Sequence, residues 1–157
     1  MAEASGLDRT DRRILELLQE DATLTIGQLA EAVNLSHNPC WRRVKRLEDE
    51  GFIRKRVALV DPAKLGAGVV VFVTVRAAEH SDDWLTAFAQ AVRAIPEVFE
   101  FYRMSGDVDY MLKLRVADIA AYDRVYKRLI GSVRLLDISS AFAMEELKCT
   151  TAVAVGL

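Results

Sequence analysis

The stretch Ile26-Gly27-Gln28-Leu29-Ala30-Glu31-Ala32-Val33-Asn34-Leu35-Ser36-His37-Asn38-Pro39-Cys40-Trp41-Arg42-Arg43-Val44-Lys45-Arg46-Leu47 reads as two short helices joined by a tight turn. Thr25 with Gln28 three residues on makes a capping box for the first helix. Ile26, Leu29, Ala30 and Val33 then recur at helical spacing and give it one buried side. Asn34 tolerates the left-handed conformation that ends a helix, Leu35 plugs the core, and Ser36 is an N-cap for the next helix. This is the grammar of a helix-turn-helix.

The second helix has two faces. At about 100° per residue, Val44 and Leu47 cluster with Cys40, while Asn38, Arg42, Lys45 and Arg46 point the other way. An apolar inner side and a cationic outer side suit a helix packed on its partner and laid in a major groove. There arginine grips a guanine edge and asparagine an adenine edge, each with two hydrogen bonds. Pro39 falls in the first turn, where its missing N–H costs little. Trp41 sits at the flank, either packing on the domain or approaching sugar-phosphate. A run of cations alone also describes a solvated helix face; the capped preceding helix and the turn favour DNA recognition. Cys40 reads as a small core residue.

Working outward, Asp8 or Thr10 caps a preceding helix carrying Ile14, Leu15, Leu17 and Leu18 and ending near Asp21, which completes a three-helix unit. Residues 1–6 read as a frayed tail. Gly51 closes the recognition helix. Phe52 to Val60 alternates imperfectly, as a short hairpin or an extended wing. Its Arg54, Lys55 and Arg56 either touch phosphates, which positions a protein without reading sequence, or decorate a charged connector. Asp61-Pro62-Ala63-Lys64-Leu65-Gly66-Ala67-Gly68 is rich in breakers and marks a linker. We therefore divide the chain into a helix-turn-helix domain (1–60), a linker (61–68) and a second domain (69–157).

Beyond the linker the pattern turns mixed. Val69–Ala77 is a β-branched strand, 82–95 a helix stopped by Pro96, and 98–104 a strand. Ser105-Gly106-Asp107 is a turn, 108–116 a strand, 118–130 a helix capped by Asp118, and 135–147 a fourth strand. The order βαββαβ is that of a ferredoxin-like sandwich, so the chain is α+β, with two helices on one face of an antiparallel sheet. The alternation Ile138, Ser140, Phe142, Met144 and the apolar run Val69–Val75 exceed what two helices cover, which implies a homodimer through this half.

Composition bounds the reading. With 157 residues, 52% hydrophobic and a net charge of −2, the molecule is no polycation. Yet seven Lys/Arg against three acids fall between Pro39 and Arg56, so DNA affinity has to come from a local patch. Cys40 and Cys149 match no zinc or redox spacing, which makes a reduced, cytoplasmic compartment the default. No secretion signal or membrane span is evident. His37 and His80 are the only histidines, and no acid–base pair, nucleophile elbow, phosphate loop or metal spacing argues for an enzyme.

Several pieces resemble the Lrp/AsnC (leucine-responsive/asparagine-C) family of transcription regulators. They are Leu7-Asp8-Arg9-Thr10-Asp11-Arg12-Arg13-Ile14-Leu15, Leu35-Ser36 with Arg43-Val44 and Arg46-Leu47-Glu48, Gly51, Ile53, Val60-Asp61 with Leu65-Gly66, Ser105-Gly106-Asp107-Val108-Asp109-Tyr110, and Ala143-Met144-Glu145-Glu146. Pro39-Cys40-Trp41-Arg42-Arg43 with Phe142-Ala143-Met144-Glu145 is similar to the cysteine-responsive branch. The resemblance implies sequence-specific binding to double-stranded DNA, modulation by a small amino acid, no other cofactor, and dimers that assemble further, often to octamers. Carried over by position, the effector pocket comprises Met104, Gly106, Asp109, Ile119, Ser140, Ala141, Phe142 and Ala143. Gly106 exposes backbone amides to an α-carboxylate and Asp109 offers an anion to the α-ammonium. The turn also reads as plain β-turn chemistry, with Asp109 paired to Arg103 or Lys113. Ala141-Phe142-Ala143 departs from the leucine-responsive member, which has an aromatic followed by branched aliphatics, and argues against a leucine response.

DNA contacts are expected from Ser36, His37, Asn38, Trp41, Arg42, Arg43, Lys45, Arg46, Arg54, Lys55 and Arg56: bases by His37, Asn38, Arg42 and Lys45, backbone by Arg43, Arg46 and Arg54–Arg56. The competing expectation is a ligand-sensing oligomer with architectural, low-specificity DNA binding.

Overall fold

Asp8, not Thr10, starts the first helix, because Asp8 and Asp11 cap one another. The structure, a computed structural model, describes residues 6–155; of the tail expected over 1–6, all but Gly6 lies outside the described residues. Helix α1 spans Arg9–Glu20. The Asp8 carboxylate accepts the Asp11 N–H at 2.8 Å, and the Asp11 carboxylate accepts the Asp8 N–H at 3.1 Å. Two donors that helix geometry leaves open are thereby satisfied. Helix α2, Ile26–Ala32, uses the Thr25–Gln28 box. Asn34 takes φ 55°, the left-handed turn expected of it, and α3 follows over His37–Asp49. Gly51 at φ 79° turns the chain so that the Ile53 N–H reaches the Leu47 carbonyl at 3.0 Å.

Ile14, Leu29, Ala30, Cys40, Val44 and Leu47 form the core of this unit, with Leu35 and Ile53 packed on its rim. The hairpin expected as one form of 52–60 is absent: a bend at Phe52 and Ile53 leads into 54–60, and none of these residues pairs in a ladder.

The second unit, Val60–Leu147, begins its regular structure with β1 (Val69–Ala77), followed by α4 (Asp82–Arg93), β2 (Val98–Arg103), β3 (Tyr110–Val116), α5 (Ile119–Ser132) and β4 (Leu135–Phe142). The sheet order is β2-β3-β1-β4, with neighbours antiparallel, as the βαββαβ reading requires. Strict alternation along β3 buries Tyr110, Leu112, Leu114 and Val116 against the helices. Trp84, Phe88, Phe101 and Tyr110 interlock beside them, ring centroids 4.9–5.7 Å apart.

Two expectations need correction here. The fourth strand stops at Phe142 instead of Leu147, because β1 begins at Val69 and the last bond it offers is from the Ala143 N–H to the Val70 carbonyl, 2.9 Å. The alternation Ile138, Ser140, Phe142 pairs with Val75, Val73 and Val71 and so lies on the helix-covered face. The uncovered face instead carries Phe72, Met111, Lys113 and Arg115, mixed in polarity.

The other unit takes residues up to Leu59 together with the chain from Lys148 onward, so the last segment, read with the second domain, packs with the first. Gln19 on α1 grips Val153 by both backbone groups: its amide oxygen accepts the Val153 N–H at 2.7 Å and its amide nitrogen donates to the Val153 carbonyl at 3.1 Å. The Arg12 guanidinium donates to the Val155 carbonyl. An extended segment held by side-chain amides in place of a ladder has no periodic signature in sequence.

Candidate nucleic-acid interface and effector site

Helix α3 presents a polar face because its apolar residues are consumed elsewhere. Cys40, Val44 and Leu47 are buried, whereas His37, Asn38, Arg42 and Lys45 are all exposed. Trp41 is half exposed. Burial pushes the Cys40 thiol up from its ordinary range, only partly countered by nearby Arg43. It is a core residue.

Ser36 is the N-cap, but its side chain makes no capping bond. A capping hydroxyl takes the N–H of the second or third helical residue; here the third is Pro39, which has none. The Ser36 hydroxyl is left facing solvent at the mouth of the helix, where the exposed N–H groups favour an anion.

The cations divide into two sets. Arg42 has no carboxylate partner among the described residues, and Lys45 bonds only Asp49, 2.8 Å away on the same exposed face. Such a pair contributes little and is readily exchanged. Arg43 and Arg46 are occupied differently. The Arg43 guanidinium donates to Asp11 at 2.8 Å and Asp8 at 2.6 Å, and Arg46 donates to the other Asp11 oxygen. Asp11 is 1% exposed. The Asp11 N–H, with Arg43 beside it, holds the Asp8 carboxyl below the usual carboxylate range, and the two acids hold Arg43 higher still. Both arginines were expected on the DNA backbone; the structure places them against α1. Sequence reasoning missed Asp11, although the signal was present: it lies three residues before Ile14, on the same inward face.

After α3, Arg56 bonds Glu48 at 3.0 Å, whereas Arg54 and Lys55 are exposed without an ion pair among the described residues.

In the second unit the eight carried-over effector residues fall into separate groups. At the β2–β3 turn, Gly106 takes φ 115° and the Met104 N–H bonds the Asp109 carbonyl at 2.8 Å. Gly106 and Asp109 line a cleft of ≈ 390 Å³ with Arg76, Ala77, His80, Asp107 and Leu136. Asp109 is partly committed: one carboxylate oxygen accepts the Ala77 N–H at 2.8 Å, and the other lies 3.9 Å from His80. It pairs with neither Arg103 nor Lys113, the latter being bonded to Glu100.

Ser140, Ala141, Phe142 and Ala143 lie at the end of β4. The Ser140 hydroxyl bonds the Tyr122 hydroxyl, and Phe142 meets the Tyr122 ring edge-on, centroids 5.1 Å apart. Ile119, at the start of α5, is exposed. Phe142 pairs with Val71 near one end of β1, whereas Tyr110, beside Asp109, pairs with Val75 near the other. At about 3.3 Å per residue, Phe142 sits about 13 Å from the level of Tyr110 along the sheet and Ser140, opposite Val73, about 7 Å, and none of Ser140–Ala143 lines the cleft at Gly106 and Asp109. Arg76, His80 and Leu136 are cleft residues that the sequence reading did not include. Their positions are a consequence of sheet register, which spacing along the chain does not reveal.

A recognition helix with a free polar face, joined to a separate α+β unit with a polar cleft, defines the class: a DNA-binding regulator with a ligand-sensing domain. Residues 7–54 match the winged helix-turn-helix DNA-binding family and residues 70–153 the Lrp/AsnC ligand binding domain. The chain is similar to the glutamate uptake regulatory protein of Zymomonas mobilis, 56% identical over 92% of this chain and 88% of that protein. It is 49% identical to the DNA-binding transcriptional activator DecR of Escherichia coli, over 95% and 99% of the two chains. A Neisseria meningitidis transcriptional regulator solved in complex with L-methionine superposes with a TM-score of 0.91 at 36% identity, covering 96% of this chain and 97% of that one. The chain belongs to the Lrp/AsnC family of DNA-binding transcription regulators; the family and these relatives are regulators, not enzymes.

Proposed function

We propose that α3 reads duplex DNA in the major groove and that a small amino acid, bound by the second unit, sets how tightly it does so. The observation that carries the first half is the exposed set His37, Asn38, Arg42 and Lys45, opposite the buried Cys40, Val44 and Leu47. These four contact base edges. Ser36, Trp41, Arg54, Lys55 and Arg56 contact sugar and phosphate. Residues 1–60 are the DNA-binding domain, 61–68 the connector and 69–157 the sensing and assembly domain, whose last residues return to α1.

The effector reading rests on the cleft at Gly106 and Asp109, and on the relative solved with L-methionine. Its acidic wall suits an α-ammonium, and Arg76 with the Gly106 turn suits an α-carboxylate. Since Ser140, Ala141, Phe142 and Ala143 do not line this cleft, a site using all eight positions takes its two halves from two copies of the chain. Exposed Phe72, Phe99, Leu136 and Met144 in the same unit support a homodimer that assembles further, to an octamer. No helix among the described residues is long and apolar enough to cross a membrane, and the protein acts in the cytoplasm, on the chromosome.

The test is fluorescence anisotropy on the duplex upstream of its own gene, at fixed salt, with each amino acid added singly. One compound shifts the midpoint five- to 150-fold, the usual range of such coupling, and Asp109→Asn abolishes the shift while leaving unliganded binding intact. Binding that no amino acid moves would reduce the turn to a structural element. Equal affinity for a scrambled duplex would make the protein architectural.

A further inference from the structure

A carboxylate buried inside a DNA-binding unit and wired to two arginines of its recognition helix calls for a reason. Alone, Asp11 at 1% exposure would be costly to bury. The two guanidinium groups and the Asp8 N–H offset that cost. The cost falls on DNA binding as well: α3 carries four cations, Arg42, Arg43, Lys45 and Arg46, and this arrangement withdraws two of them. Arg42, Arg43 and Arg46 share one open depression with Asp8 and Pro39, of ≈ 510 Å³, so the withdrawn pair stands beside the free arginine, close enough to reach a phosphate if released.

We propose that Asp11 is a positioning residue for DNA recognition, acting through Arg43 and Arg46. It pins α3 to α1 at a set angle and keeps two of the helix's four cations off the DNA backbone. Phosphate contacts raise affinity for every sequence alike, whereas base contacts discriminate. A helix with all four cations free would hold any duplex; with two engaged by Asp11, the free Arg42 and the exchangeable Lys45 carry the recognition. Asp8 is the exposed second partner of Arg43 and closes the network through the cap it shares with Asp11. The inference rests on the reading of α3 as the recognition helix.

The experiment compares full-length wild type, Asp11→Asn, Arg46→Gln and Arg42→Ala by anisotropy on the upstream duplex and on a scrambled duplex of equal length, over a salt series. Asp11→Asn keeps the shape and removes the charge. It binds the scrambled duplex about fivefold to tenfold more tightly at 0.1 M salt, with a slope of log affinity on log salt steeper by about 0.9, one added phosphate. Its upstream-to-scrambled ratio falls. Arg46→Gln leaves the slope as in wild type. A slope unchanged in Asp11→Asn, or shallower by about 0.9 in Arg46→Gln, overturns the proposal. Since Arg46→Gln leaves Asp11 paired with Arg43, that arm decides even if Asp11→Asn does not fold. An unchanged ratio in Arg42→Ala would instead remove the recognition-helix reading itself.

Discussion

At the scale of single residues, the two cysteines illustrate how burial sorts like side chains. Cys40 lies fully inside the helical core with its thiol pushed up, and Cys149 is exposed. Only the thiolate reacts. Brief treatment of the native protein with iodoacetamide should therefore modify Cys149 alone by mass spectrometry, and both after denaturation; labelling of native Cys40 would contradict the packing. Asp8 gives the complementary case for a carboxylate. The Asp11 N–H and Arg43 hold its folded pKa below the unfolded value, so its contribution is present above about pH 4 and is lost as pH falls through the lowered pKa. Asp8→Asn, which retains capping ability, should flatten the decline in stability below about pH 4 measured by urea unfolding. A decline identical to wild type would show that the ion pair contributes nothing.

At the scale of elements, what was legible in sequence was whatever local chemistry determines. The Thr25–Gln28 box, left-handed Asn34, the Gly51 stop and the Asp118 cap all stand where the residues placed them. So does β1, over Val69–Ala77. What spacing does not encode is partnership. Cationic residues on a helical wheel look alike whether they face water or a buried acid, so spacing does not reveal that Arg43 and Arg46 pair with Asp11. Strand length likewise depends on the neighbour, so β4 ends where β1 begins. The tail on α1 is a third case. Gln19→Ala removes both of its bonds to Val153 and should cost about 1 kcal/mol, in line with exposed hydrogen bonds. Hydrogen exchange reads it directly: the Val153 amide should lose protection while α3 keeps its own, and retained protection would show that the tail is held by other contacts.

At the scale of the whole molecule, the separation of the Gly106–Asp109 turn from the Ser140–Ala143 strand end turns a pocket question into an assembly question. If each effector site joins the turn of one copy to the strand end of another, two defective proteins should complement. Asp109→Asn and Ala141→Trp, each unresponsive alone, should recover part of the amino-acid response when refolded together, because some mixed sites carry both intact halves. No recovery at any mixing ratio, with mixed oligomers present by native mass spectrometry, would place the site within one chain. Central to all of this is recognition of DNA by α3. The most direct measurement is the ratio of affinities for the upstream and scrambled duplexes, at one salt concentration, in wild type and Arg42→Ala. Loss of a two-bond base contact lowers that ratio about fivefold to 150-fold, equivalent to about 1–3 kcal/mol; a ratio unchanged within error would contradict the account.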